Sequence, residues 1–321
     1  MIQIKSTPFR DLSAIVTHHF DNLAPVILGN LNGCTQRQIA FIRQNIHAIL
    51  MALPGDLLKV NSEFKEFCLA PGAGRMKNPY RGLSRVFKYK VFSDKSATGY
   101  CAYELSANLG FNTCPYCNRG YNVTVTKDKR RIVRPDFDHF FAQSKYPLLA
   151  LSFYNLIPCC LVCNRTLKHR SDMTYGKTIH PYEEGFDSAF KFRFLAKDPE
   201  SAVGLKSNYS VVPSYDPLQP EKATRCEGNA RLFKLTEIYE QSHAGEVSDI
   251  LRRHHVSNGD YLKGLSRSFP ALGSLEELYR IAFGTYYSQE DFERRPLSKL
   301  IRDVTDQLGF AIPGLPLARV K

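Results

Sequence analysis

The chain has 321 residues, 43% hydrophobic and 23% charged, which argues against intrinsic disorder and leaves enough apolar mass for a real core. Lys and Arg outnumber Asp and Glu by 43 to 31, so a formal charge of +12 favours a polyanionic partner. No apolar run approaches the ~18 to 20 residues that span a bilayer, and MIQIKSTPFRD lacks the apolar centre of an export signal, so no membrane partner and a cytoplasmic location are expected.

The first seventy residues read as helices. The clearest begins at an N-cap Thr35, where Gln38 completes a capping box, and carries Ile39, Ile42, Ile46, Ile49, Leu50 and Leu53 until Pro54-Gly55 stops it. LAPGAGRMKNPYRG follows as a turn-rich basic loop; its PGAGR lacks the Gly-Lys-Ser/Thr ending of a phosphate-binding loop and reads as a plain turn. From Arg75 to Lys95 seven bases face Asp94 alone, and YRGLSRVFKYKVF interleaves them with aromatics, a pattern that packs a strand or stacks on nucleobases. Ser96 to Asn108 reads as a short helix. YNVTVT (121–126) alternates β-branched residues, KDK turns, and RIVRPDFDHF resumes an extended pattern, giving a hairpin that leads into Asp138 and His139. FKFRFL and NYSVV then read as two strands, and NARLFKLTEIYEQ, SLEELYRIAF and PLSKLIRDVTDQL as helices. The pairs His18-His19 and His254-His255 have no acidic or cysteine partners at ligand spacing and read as surface residues.

The fold class that results is α+β, mostly helical around a small irregular centre. It divides into a helical N-terminal region with its basic loop (1–95), a core (96–185) and a C-terminal extension of short strands followed by helices (186–321).

Five of the nine cysteines gather around one motif. In a reducing compartment this points to metal rather than disulfides. Cys114-Pro-Tyr-Cys117 and Cys160-Leu-Val-Cys163 are two Cys-x-x-Cys knuckles 42 residues apart. Four thiolates so paired suit tetrahedral structural zinc, the alternative being four buried cysteines brought together by accident. Cys159 breaks the spacing and reads as a bystander. A closed four-sulfur site leaves no position for water, so such a zinc folds its surroundings and does not catalyse.

Between the knuckles runs DFDHFFAQSKYPLLALSFYNLIPCCLVCN, with Asp138-His139, Asn155-Leu156 and Asn164 directly after Cys163. This order resembles the HNH, or ββα-metal, nuclease motif, and the Asp-x-Asp-His start with nine positions from Asn155 to Asn164 is similar to the HNH domain of the RNA-guided CRISPR effector nucleases. The resemblance covers about a fifth of the chain, and the hairpin at 121–139 would be the ββ of its ββα unit. It implies a metal-dependent endonuclease in which His139 takes a proton from water, Asp138 and Asn164 hold Mg²⁺ or Mn²⁺ through hard oxygens, and Asn155 orients His139 across the loop. Asn155 reads equally well as a turn former. Because neighbours on a strand point oppositely, Asp138 and His139 can serve metal and water only if the strand end is irregular. Asp136 is either a partner of the site or a solvated strand-end acid, and His169 a phosphate contact or an exposed residue rather than a ligand. Family members often place a lysine three residues after the helix asparagine, whereas Lys168 stands four after Asn164. The bases Lys127, Lys129, Arg130, Arg131, Arg134, Arg165 and Lys168 would track backbone phosphates, or simply form a solvated face.

The longer pattern, CPYC, then the segment above, then HPYEEGFD and FKFRF, is similar to the HNH subunits of Septu-type and retron-linked Septu antiphage systems. That resemblance implies an ABC/SMC-like ATPase partner and cleavage held back until infection is sensed. Three functions stay open: a DNA endonuclease, an RNase on the same scaffold, and a noncatalytic zinc module that binds nucleic acid. Oligomeric state is not legible.

Overall fold

The computed structural model describes residues 1–71, 77–128, 130–169, 171, 173–257, 260–271 and 274–310. Most of PGAGR, including Arg75, and Lys129 lie outside the described residues.

Three helices form the N-terminal block: α1 (Leu12–Leu28), α2 (Gln36–Met51) and α3 (Leu57–Leu69). Asp11 caps α1 through the Ala14 N–H, and Thr35 and Gln38 form the reciprocal capping box that starts α2. The stripe Phe41, Ile42, Ile46, Ile49 and Leu50 of α2 is buried. The helix ends at Met51, so Leu53 is exposed instead of continuing the stripe. His19 is also not where the sequence placed it. It lies on the buried face of α1 with Ile15 and Leu23, four residues on either side, where the helical period brings them into line. Its Nε2 is 2.8 Å from Leu151 O and its Nδ1 3.0 Å from Tyr100 OH, so α1 holds the loop that precedes Asn155.

The segment expected to pack as a strand is two short helices, α4 (Leu83–Val86) and α5 (Tyr89–Ser93), which bury Leu83, Val86, Phe87 and Phe92 and leave Arg81, Arg85, Lys88 and Lys90 exposed. The next helix, α6 (Ala102–Leu109), is shorter than the expected 96–108 and ends on Gly110 in the left-handed conformation.

Among the described residues the strands form three two-stranded antiparallel sheets: β1 (Val125–Lys127) with β2 (Arg130–Val133), β3 (Asp136–His139) with β4 (Leu156–Cys159), and β5 (Phe190–Ala196) with β6 (Tyr209–Tyr215). The expected hairpin therefore stops short of the Asp-His pair. Arg134-Pro135 interrupts it, Pro135 having no N–H to give a ladder, and β3 pairs instead with a strand twenty residues downstream. The ββ unit around Asp138-His139 is β3–β4.

Beyond β5 come α7 (Pro199–Ala202), α8 (Pro220–Leu232), α9 (Leu235–Ser242), α10 (Ala244–Val256), α11 (Tyr261–Ser268), α12 (Leu275–Phe283) and α13 (Ser298–Gln307). NARLFKLTEIYEQ is not one helix: Lys234, at φ +48°, separates α8 from α9. Helix α13 covers the open edge of β5, where Asp303 accepts from Phe192 N at 2.9 Å and Gln307 both accepts from Phe194 N and donates to Phe194 O. The first residues thread into the core: Ile2 N donates to Pro115 O, Ile4 N to Pro181 O, and Met1 O accepts from Phe186 N. One continuous set of buried apolar residues runs from Met1 to Phe310. The α+β class holds, and no helix among the described residues is long and apolar enough to cross a membrane.

Candidate active site and metal centre

Strand β3 carries Asp136, Asp138 and His139, pairs in register with β4 as far as His139–Leu156, and is joined to it by the loop 140–155. After β4 the chain enters a π-helical turn, Val162–Lys168. These three segments bound an open cleft of about 380 Å³, whose walls include Tyr89, Arg134, Asp138, His139, Asn164 and Lys168.

Asn155 crosses the loop and is fully buried. Its Oδ1 accepts from Phe141 N at 2.7 Å, and its Nδ2 donates to Phe141 O at 3.1 Å and Leu149 O at 2.9 Å. Its side chain makes no hydrogen bond to His139 among the described residues. It ties down the loop that presents Ala150 O, and that carbonyl lies 3.0 Å from His139 Nε2. A carbonyl only accepts, so Nε2 carries the proton and Nδ1 keeps the lone pair. The ring packs edge-on against Tyr89, 4.4 Å between centroids, and Tyr89 OH donates to Phe137 O. Burial pushes the His139 pKa down to about 4, so the imidazole is neutral near pH 7.

Asp138 leaves the strand on the other side. Its Oδ2 accepts from Tyr116 OH at 2.7 Å and its Oδ1 from Lys168 Nζ at 2.6 Å, with Asp138 and Lys168 only 4% and 3% exposed. Lys168 also donates to His139 O. The pairing of β3 is regular through His139, and both side chains still border the cleft, so the expected irregularity is not what brings them together. Asp136 accepts from Asn164 Nδ2 at 3.2 Å and from both Nε and Nη2 of Arg165. With its nitrogen committed to a carboxylate, the Asn164 amide oxygen has no hydrogen-bond donor among the described residues.

The four-residue step from Asn164 to Lys168 finds its reason in the π turn. His169 N reaches back five residues to Asn164 O, widening the turn by one residue relative to an α-helix, so Lys168 still returns to the cleft beside Asn164.

Behind the cleft, Cys114, Cys117, Cys160 and Cys163 form a group that could hold a metal ion, their sulfurs all within 4.8 Å of one another. Cys117 and Cys160 Sγ are 3.9 Å apart, and a tetrahedron with metal–sulfur bonds of about 2.3 Å has edges of roughly 3.8 Å. Cys160 N donates to Cys114 Sγ at 3.4 Å, and Cys163 N to Cys160 Sγ at 3.5 Å, so backbone N–H groups within the group point at its sulfurs. Cys159 is buried outside this group, its thiol pushed up by burial.

In comparisons with known proteins, no family model, curated protein or solved structure matches this chain. The geometry of the site is what its functional reading rests on.

Two residues that the sequence reading passed over belong to the site. Tyr116 stands between the two cysteines of the first knuckle and reaches Asp138, and Tyr89 comes from α5, fifty residues upstream of His139. Position inside a Cys-x-x-Cys was a signal for the first; the second had none. The C-terminal region clasps the same knuckle: Leu297 N donates to Asn118 O, Lys299 N to Asn118 Oδ1, Tyr239 OH to Cys117 O, and Phe233 stacks on Tyr116 at 4.2 Å.

The expected phosphate contacts separate into kinds. Arg131 is a strut, bonded to the carbonyls of Lys95, Ala97 and Gly99. Arg134 donates to Ser93 O and lies over the Tyr103 and Phe137 rings at the cleft wall. Arg165 is exposed but paired with Asp136, and Lys168 is buried on Asp138. Arg130 is exposed and without an ion pair, as are Arg81, Arg85, Lys88, Lys95 and Lys127, among the described residues. Bases beyond residue 190 are largely neutralised, as in Lys191–Asp306, Lys222–Asp187 and Lys299–Asp303. Of the exposed bases without an ion pair, Lys88, Lys95, Lys127 and Arg130 stand within a few residues in the chain of Tyr89, Ser93 and Arg134 of the cleft wall.

Proposed function

We propose that this chain is a metal-dependent endonuclease of the HNH type that hydrolyses phosphodiester bonds of DNA. The observation that carries this reading is His139. Its Nε2 proton is committed to Ala150 O, which leaves Nδ1 as the proton acceptor in the cleft that Asp138 and Asn164 also line. A neutral imidazole so oriented takes the proton of a water as the water oxygen attacks phosphorus; the new P–O bond forms, the bond to the leaving sugar oxygen breaks, and the proton stays on Nδ1 until solvent removes it.

Asp138 Oδ1 and the amide oxygen of Asn164 are hard donors of the type Mg²⁺ and Mn²⁺ prefer, and an ion bound at Asp138 would take the place that the Lys168 ammonium holds on Oδ1. Bound there, such an ion supplies positive charge for the phosphate and the departing oxygen. Tyr116 fixes the Asp138 carboxylate, and Asn155 positions His139 through the loop. Cys114, Cys117, Cys160 and Cys163 hold structural zinc. The unpaired bases around the cleft support a polyanionic substrate. The resemblance to Septu-type HNH subunits adds an ABC/SMC-like ATPase as partner and a role in antiphage defence.

The test is incubation of zinc-loaded protein with supercoiled plasmid and, separately, total RNA, in Mg²⁺ or Mn²⁺ and then with EDTA. Metal-dependent nicking of plasmid is expected. Degradation of RNA alone would make the chain an RNase, and binding without cleavage of either would make it a noncatalytic zinc module.

A further inference from the structure

The β1–β2 ribbon stands off the body of the protein. Val125, Thr126 and Lys127 are all exposed, so both faces of β1 are open, and in β2 only Arg131 is partly covered. Its base is anchored on both strands: Thr124 Oγ1 donates to Ser106 Oγ on α6, and Arg131 is bonded to the 95–99 segment. Asp128, directly after β1, takes φ +51°, a conformation that tight hairpin turns use.

The surface of this ribbon is unusual for one left in water. Val125 is 39% exposed, Ile132 49% and Val133 50%, and between them stand Lys127 and Arg130, bases with no carboxylate partner. A bare two-stranded ribbon gains little stability from water and presents an edge for unwanted pairing, so this composition calls for an occupant. The charge identifies it as a polyanion. Strand β2 ends at Val133, and Arg134 and Asp136 immediately after it form the cleft wall, so the ribbon's base lies within roughly 10 Å of the site. Whatever lies across the cleft reaches the ribbon.

We infer that the β1–β2 ribbon is a substrate arm that enters the major groove of double-stranded B-form DNA. This rests on the nuclease reading of the cleft and narrows its substrate. Two strands about 4.8 Å apart with their side chains fit a groove roughly 12 Å wide. Lys127 and Arg130 meet phosphates at the groove edges, and Ile132 and Val125 contact the apolar floor, where thymine methyl groups lie. The major groove of A-form RNA is too narrow for such a ribbon, and a single strand has no groove.

The experiment measures anisotropy of a labelled 20-base-pair DNA duplex, its single strand and the equivalent RNA duplex, with zinc-loaded full-length His139→Ala protein so that no substrate is cut. Lys127→Gln/Arg130→Gln on that background should weaken duplex DNA binding about tenfold or more at 0.1 M salt and lower the salt slope by about 2. Ile132→Ser should weaken it several-fold with the slope unchanged, because an apolar contact releases no counterions. Single-strand and RNA-duplex binding should be unaffected by Ile132→Ser. Equal losses on all three probes would reduce the ribbon to a nonspecific charge, and no loss on any would assign it to a protein partner; either overturns the inference. If the parent chain cuts no nucleic acid while ribbon-dependent duplex binding persists, the nuclease reading fails and the ribbon stands.

Discussion

The Asp138–Lys168 pair joins the catalytic reading to stability. Both groups are nearly inaccessible, so removing the ammonium leaves a buried carboxylate uncompensated, a change that costs about 3 to 5 kcal/mol. Lys168→Met should therefore lower the urea midpoint in metal-free buffer and regain more stability on Mn²⁺ addition than the parent does. Equal responses of the two proteins to Mn²⁺ would show that no cation competes with Lys168 at Asp138. His139→Ala should abolish cleavage with zinc content unchanged, and a clean preparation that still cuts would remove His139 from the chemistry. Asp138, His139, Asn155 and Asn164 could be named as candidates from the sequence because residue type and order carry the pattern. Tyr89 could not, since an aromatic interleaved with bases reads first as strand packing, and only the fold places it against the imidazole.

At the level of elements, the knuckle and the π turn do the positioning. Cys160 and Cys163 flank the start of the turn that carries Asn164 and Lys168, while Cys117 and Asn118 receive the C-terminal helices. Metal binding at such a site is folding energy. Cys117→Ser or Cys160→Ser should thus lose zinc, measured by atomic absorption, and expose the α9 and α13 contacts to proteolysis; Cys159→Ser should keep zinc, and loss of metal there would put the wrong sulfur in the set. The capping box of α2 and the strands β5 and β6 were readable from local chemistry alone. The partner of β3 was not. Local alternation favoured the preceding segment, and a proline plus pairing over a long loop decided otherwise.

Across the whole molecule, His19 and His180 are buried and His139 is half-buried at the cleft, all three as neutral rings, desolvation lowering their pKa values to about 4, 3 and 4. In the unfolded chain each takes up a proton near pH 6.5, so the unfolded state binds more protons below that point. Stability is therefore full above pH 6.5 and falls as the pH drops toward 4, by about 1.4 kcal/mol per pH unit for each ring. Urea unfolding between pH 7 and 5 should show this slope, and His19→Phe should flatten it by one ring's share; an unchanged slope would mean that His19 is charged in the fold. The sequence by itself determined the helices with strong caps, the two knuckles and the residues able to handle a proton and a hard cation, because these depend on residue type and short spacing. The tertiary structure alone decided which nitrogen of His139 is free, that Lys168 neutralises Asp138, that Arg131 is a strut, and that the basic ribbon stands beside the cleft. Each of these depends on groups far apart in the chain, brought within hydrogen-bond reach only by packing.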